Sequence, residues 1–176
     1  MFSEDGARVS VIDNLSREGS FVNVSTLREK GVAVFHGDIR EPDELKVAVE
    51  PDWIVDAAAN PSVLAGTADF TSRPLMMQNL GGSINAIEFA KDHGAGFILL
   101  STSRVYNIDL LSNLEFSKQG MRFEPSLRGK TLGISKSGIS EKFSSAPPIS
   151  LYGSSKLASE IVVLEYSCAF DIPVFV

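Results

Sequence analysis

One cysteine in 176 residues leaves no internal disulfide to form, and two histidines without neighbours at metal-ligand spacing give no zinc-type set. Cys168, on the helical stretch Ser154 to Phe170, is therefore expected as a buried small hydrophobe, and the setting as cytoplasmic. No run reaches the ~18 apolar residues of a membrane span. The acidic start Met1-Phe2-Ser3-Glu4-Asp5 lacks the charge pattern of a signal peptide. Lys and Arg number 16 against 22 Asp and Glu, for a net charge of −6 with no basic block, which argues against a nucleic-acid surface. Internal repeats and low-complexity tracts are missing too. What remains, 44% hydrophobic and 22% charged, suits one ordinary globular domain.

Along the chain, β-branched runs ending in acids alternate with helical patterns. Arg8 to Asp13 reads as a strand followed by the polar turn Asn14 to Ser20, and Val24 to Lys30 as a short helix. Val32 to His36 is a second strand ending at Gly37-Asp38-Ile39. Pro42 opens a helix through Val49, with Asp43 and Glu44 in its first turn, where the helix dipole favours negative charge. Trp53 to Asp56 is a third strand running into Ala57-Ala58-Ala59-Asn60-Pro61. A loop to about Thr71 precedes a helix from about Pro74 to His93, closed by Gly94. Phe97 to Ser101 is an apolar strand of the kind buried on both faces of a parallel sheet. Residues 107–148 show no persuasive period, and Pro173 to Val176 reads as a last strand.

The alternation predicts an α/β fold with a doubly wound parallel sheet, in which ligands sit at the carboxyl ends of the strands. Those ends are Asp13-Asn14, Asp38-Ile39, Ala57-Ala58-Ala59 and Ser101-Thr102-Ser103. An acid there accepts from both hydroxyls of a ribose, small residues admit a cofactor to the backbone, and a hydroxyl bonds a substrate oxygen. Tyr152 and Lys156 stand one helical turn apart on one face, ahead of the stripe Leu157, Ile161 and Leu164. An ammonium beside a phenol favours the phenolate and so makes a base of a group whose ordinary pKa is about 10.

Glycine is scarce where a dinucleotide-binding fold needs it. The ribose acid of such folds lies about 20 residues past a strand and a glycine-rich loop. Gly6 is the sole glycine before Asp13, so the first strand and phosphate loop are expected to be missing. Residues 1–176 are then expected to be the middle portion of a longer dinucleotide-binding domain, one that stops before any segment able to close over a substrate.

Together these motifs resemble the extended short-chain dehydrogenase/reductases, the NAD-dependent sugar-nucleotide epimerases and dehydratases, from Val9 to Val176. The segment Val11 to Ser16, with Asp13, Asn14 and Ser16, looks like the family's adenosine-ribose segment, and Asp38 with Ile39 its adenine side. Ala57, Ala58 and Ala59 resemble the wall under the nicotinamide half, and Asn79-Leu80-Gly81-Gly82 the N-x-x-G helix start. Thr102, Tyr152 and Lys156 match the catalytic triad, the last two also touching the cofactor. Within the family, Ser101 to Tyr106, Gly138 to Glu141 and Ser150 to Gly153 look most like the CDP-paratose (CDP-tyvelose) 2-epimerases. The resemblance implies NAD as cofactor, a nucleotide-sugar substrate with a CDP-sugar favoured, no metal, no nucleic acid or membrane partner, and a homodimer pairing through the Leu80 and Leu157 helices. Asp13 beside a ribose would repel a 2′-phosphate. Ser103 and Arg104 stand where dehydratases of the family place Asp-Glu, which favours epimerisation. Rival readings are a non-catalytic remnant of the fold and a nucleotide-sugar reductase or dehydratase.

Overall fold

The computed structural model describes residues 5–47, 50–62, 72–125 and 131–176. Its strands are β1 (Ser10–Asp13), β2 (Ala33–His36), β3 (Trp53–Asp56), β4 (Gly96–Leu99) and β9 (Val174–Phe175), with two small ladders between β4 and β9. The helices are α1 (Val22–Glu29), α2 (Pro42–Leu45), α3 (Ser72–Met76), α4 (Gly82–His93), α5 (Ile108–Ser112) and α6 (Ser150–Phe170). A π turn, Met77–Gly81, joins α3 to α4 without a break. Pro42 opens α2 with Asp43 and Glu44 in its first turn, and Gly94 closes α4 in the left-handed conformation at φ 64°.

The parallel sheet is in two pieces. β1 pairs with β2, Val11 opposite Val34, while β3, β4 and β9 form a three-stranded sheet with Trp53 opposite Gly96 and Phe97 opposite Val174. Between the free edges of β1 and β3 runs a cleft of about 1860 Å³, lined by Arg8 to Asn14 on one side and Glu50 to Ser62 on the other. The expected gap in the sheet is therefore visible as a physical slot. The core lies on the three-stranded side, where Ala86, Ile87 and Ala90 of α4 meet Phe97 and Leu99 of β4 and Val163 of α6.

Several expectations need correction. Cys168 is exposed, because it lies on the outer side of α6. Of the stripe Leu157, Ile161 and Leu164, expected as core and dimer packing, Leu157 is half-buried, but Ile161 is 63% and Leu164 49% exposed, so those two are not core. Instead α6 turns Gly153, Ser155, Lys156, Ser159 and Val163 inward, so its polar small residues face the protein. That helix begins at Ser150 rather than Ser154, since the Ser150 Oγ accepts the Gly153 N–H at 3.1 Å in the manner of a cap. The fourth strand stops at Leu99, and Leu100 is 52% exposed. Residues 107–148 hold α5, the hairpin β5 (Phe116–Gln119) with β6 (Arg122–Pro125), and the short ladder β7 (Ile134–Ser135) with β8 (Gly138–Ile139). These strands are too short to show a period. Val49, and the loop expected up to Thr71 from position 63 onward, lie outside the described residues.

Candidate active site

Some of the residues singled out from the sequence lie at the carboxyl ends of the strands, whereas Thr102, Tyr152 and Lys156 do not line the cleft between β1 and β3. Asp13, Asn14, Ser16, Ile39, Ala57, Ala58 and Ala59 all line the cleft. Asp13 ends β1 and its Oδ1 accepts the Leu15 N–H at 2.6 Å, shaping a turn in which Leu15 takes φ 52°. The Asn14 Nδ2 donates to Asp38 Oδ2 at 2.9 Å, which ties the end of β1 to the end of β2. Asp38 is otherwise taken by Arg40, whose Nε and Nη2 donate at 2.9 and 2.6 Å. These guanidinium bonds hold the Asp38 carboxyl far below the usual carboxylate range, despite its partial burial, with Asn14 assisting. Asp38 does not line the cleft, so its geometry is that of a strut between strand ends.

Ile39 packs against Gly82 at the start of α4. A Cβ on Gly82 would come within 2.6 Å of the Ile39 Cγ2, so the glycine sets how closely α4 approaches. Asn85 of α4 then donates to the carbonyls of Ile39 and Arg40, at 2.9 and 3.0 Å. Asn79, on the π turn, is 1% exposed. Its Oδ1 accepts the Asn60 N–H at 2.7 Å and its Nδ2 donates to the Ser155 Oγ at 3.0 Å. It clamps the loop after β3 to α6 from behind the cleft wall.

The Tyr152 and Lys156 pair occupies the first turns of α6, as its spacing predicts. Gly153 lies directly on the Thr102 segment: a Cβ there would stand 2.3 Å from the Arg104 carbonyl oxygen. Thr102 precedes a 3-10 turn, Ser103–Val105, and its Oγ1 accepts the Arg104 N–H at 3.2 Å. It lines a second cavity of about 300 Å³ with Tyr106, Glu141 and Glu160. Ser101 donates to Glu160, joining the end of β4 to α6. Burial and the carboxylates of Glu141 and Glu160 raise the Tyr106 phenol above its ordinary pKa.

Lys156 is 2% exposed and Asp56, at the end of β3, 3%. The Ser83 Oγ donates to Asp56 Oδ2 at 2.6 Å and the Ala58 N–H to Oδ1 at 3.0 Å. Burial pushes the Asp56 carboxyl up, against the Ser83 bond and the charge of Lys156. Burial likewise pushes the Lys156 ammonium down, against the charges of Asp56 and then Glu160. Sequence reasoning passed over Asp56, Ser83 and Ser155; the one available signal was an acid directly before the three alanines.

A parallel sheet with acids, small residues and hydroxyls just past its carboxyl ends, packed against helices, defines an α/β domain of the Rossmann class. The model of the NAD dependent epimerase/dehydratase family matches residues 1–176, and the chain belongs to that family. Solved structures with this fold include the UDP-Glc/GlcNAc 4-epimerase from Campylobacter jejuni, 24% identical over 96% of this chain and 44% of its own, with a TM-score of 0.69. The Thermus thermophilus UDP-glucose 4-epimerase in complex with NAD is 22% identical over 98% and 47% (TM-score 0.65). A dTDP-glucose 4,6-dehydratase from Streptomyces venezuelae with NAD bound is 23% identical over 95% and 44% (TM-score 0.67). The chain thus spans less than half the length of these structures. No curated protein sequence matches it. Among the described residues no helix is long and apolar enough to cross a membrane, and no cluster of His, Cys, Asp and Glu is placed to hold a metal ion.

Proposed function

We propose that the chain is the cofactor-binding part of an NAD-dependent nucleotide-sugar epimerase of the CDP-paratose 2-epimerase kind, acting through Thr102, Tyr152 and Lys156. The observation that carries this reading is the seating of Gly153 on the Arg104 carbonyl, which sets the turn bearing Tyr152 beside the strand end bearing Thr102. At the carboxyl ends of β1 and β3 the chemistry suits a dinucleotide: Asp13 offers a carboxylate, and Ala57, Ala58 and Ala59 leave the backbone approachable. When bound, NAD supplies a hydride acceptor that later returns what it takes.

The chain's own residues do the rest. The Tyr152 phenolate takes the proton of a sugar hydroxyl as the hydride leaves the same carbon, and Lys156 stabilises that phenolate. Thr102 orients the same oxygen. The keto-sugar then turns over and receives proton and hydride on its other face, so no net oxidation remains. Ser103 and Arg104 offer no acid for eliminating water, which favours epimerase over dehydratase, and a reductase would use the same three residues. The exposed Ile161 and Leu164 on α6 support a homodimer formed through that helix. A cytoplasmic setting agrees with the single cysteine.

The divided sheet favours a second reading, a non-catalytic remnant of the family. Calorimetric titration of the chain with NAD separates the two: saturable heat supports a working cofactor site, and a flat trace supports the remnant. Tyr152→Phe is expected to keep that heat while lowering epimerisation of a CDP-hexose, followed by proton NMR, by about 10²–10⁴-fold. Equal and measurable rates in the two chains would overturn the assignment of Tyr152, and no rate in either supports the remnant.

A further inference from the structure

α6 meets the segment that ends β4 at two points, and together they bracket Lys156 on the helix and Thr102 on the strand end. At the first, Gly153 lies against the Arg104 carbonyl with no room for a Cβ. At the second, about two turns further along, the Ser101 hydroxyl donates to Glu160 Oε1. Gly153, Lys156 and Glu160 follow at i, i+3 and i+7, so one face of α6 carries both contacts with Lys156 between them. Across from that face, Ser101 and Arg104 flank Thr102, whose Oγ1 accepts the Arg104 N–H at 3.2 Å. The Thr102 hydroxyl therefore goes where this segment goes. A helix held at one point can still pivot, whereas one held at two points about 10 Å apart along its axis cannot.

We propose that Glu160 is a positioning residue: through the Ser101 hydroxyl it fixes the strand end bearing Thr102 against the helix bearing Tyr152 and Lys156. It touches no substrate or reacting atom in this role. Ser101 and Glu160 are both half-buried and line the cavity of about 300 Å³ beside Thr102. A hydroxyl bonded to a carboxylate there is roughly twice as strong as a bond between neutral groups. The other polar anchor of this part of α6 points elsewhere, since Asn79 joins Ser155 to the loop after β3 and leaves the end of β4 unheld. The purpose of the tie rests on the function proposed above: Thr102 and Tyr152 can serve one sugar oxygen only if their two elements keep a fixed separation, and a misplacement of about 1 Å can cost ~10²-fold in rate. The tie itself needs neither cofactor nor substrate.

The test uses the full chain with ¹³C-labelled threonine methyls and tyrosine rings, the Thr102 and Tyr152 signals being assigned by Thr102→Ser and Tyr152→Phe. Each half of the bond is broken and read from the far side. Glu160→Ala is expected to shift the Thr102 methyl signal, and Ser101→Ala the Tyr152 ring signals. Glu160→Gln keeps an oxygen that accepts the Ser101 O–H and is expected to return the Thr102 signal toward its wild-type position. An unmoved Thr102 signal in a folded Glu160→Ala chain overturns the proposal. If Glu160→Ala does not fold, Ser101→Ala decides, and unmoved Tyr152 signals defeat it. In turnover of a CDP-hexose, Glu160→Ala is expected to lower kcat by about 10–10²-fold while the calorimetric heat with NAD is kept, and Glu160→Gln to recover most of the loss. A kcat equal to that of an active wild type overturns the positioning role, because a tie that served stability alone would leave it unchanged. Signals that move in a chain without turnover keep the tie and sink the epimerase reading instead.

Discussion

Asp38 and Asp56 are both strand-end carboxylates, and their surroundings push them in opposite directions. Arg40 and Asn14 draw Asp38 below its ordinary 3.8, so the unfolded chain binds the extra proton in acid. The stability this contributes is present above about pH 4 and is lost as pH falls below that. Asp56 is raised by burial, so over the window above 3.8 the folded chain binds the extra proton and stability falls as pH rises. Asp38→Asn should therefore flatten the acid limb of a plot of urea midpoint against pH between about 2.5 and 6. Limbs that run parallel to the wild type would show that the Arg40 bonds contribute nothing in solution. The two acids were not equally legible. Asp38 follows a strand beside glycine, a local pattern, and Tyr152 with Lys156 needed only a helix to share a face. Asp56 meets Ser83 across 27 residues, and Asn79 meets Ser155 across 76, so neither pairing leaves a trace in local sequence. Polar residues on a stretch read as amphipathic are taken for surface, and α6 reverses that by burying its serines.

α6 shows how one small residue decides the meeting of two elements. In an ordinary helix Gly→Ala gains about 1 kcal/mol from backbone entropy. At Gly153 the new methyl would meet the Arg104 carbonyl at 2.3 Å, and a backbone oxygen cannot swing aside as a side chain can. Overpacking of this kind costs about 1–3 kcal/mol, so the clash is expected to win. Gly153→Ala should lower the melting temperature by about 2 °C or more, and a higher melting temperature would mean that the Thr102 and Tyr152 segments are not in contact. Strands β1 and β3 were readable because short β-branched runs ended at acids, and β2 because its apolar run stopped at Gly37. The π turn was not, since Met77 to Gly81 continues the helical pattern on either side of it and differs only in hydrogen bonding. The hairpin β5 and β6 escaped for another reason: all four residues of β5 are exposed, so no buried face imposes alternation.

The whole molecule is two unequal halves joined through helices rather than by a continuous ladder. β1 and β2 form a two-stranded parallel pair with no fully buried strand residue, and α1 covers it without burying one of its own. β3, β4 and β9 carry the main core, in which Phe97, Ile87, Ala90, Ala95 and Val163 are each 0% exposed. An isolated two-stranded sheet is marginal in water, whereas truncating a fully buried phenylalanine such as Phe97 costs about 3–5 kcal/mol. The links between the halves among the described residues include Asn85 to the Ile39 and Arg40 carbonyls, Ile39 against Gly82, and α2 against α4. Opening of β1 and β2 should thus cost much less than global unfolding. Native-state hydrogen exchange is expected to show the amides of Phe97 and Leu99 near the global limit, and those of Val11, Ile12, Val34 and Phe35 exchanging at least ~10²-fold faster, a gap of about 2.7 kcal/mol. Equal protection in the two halves would mean that the cleft between β1 and β3 is closed in solution. The gap in the sheet would then not govern the stability of the chain.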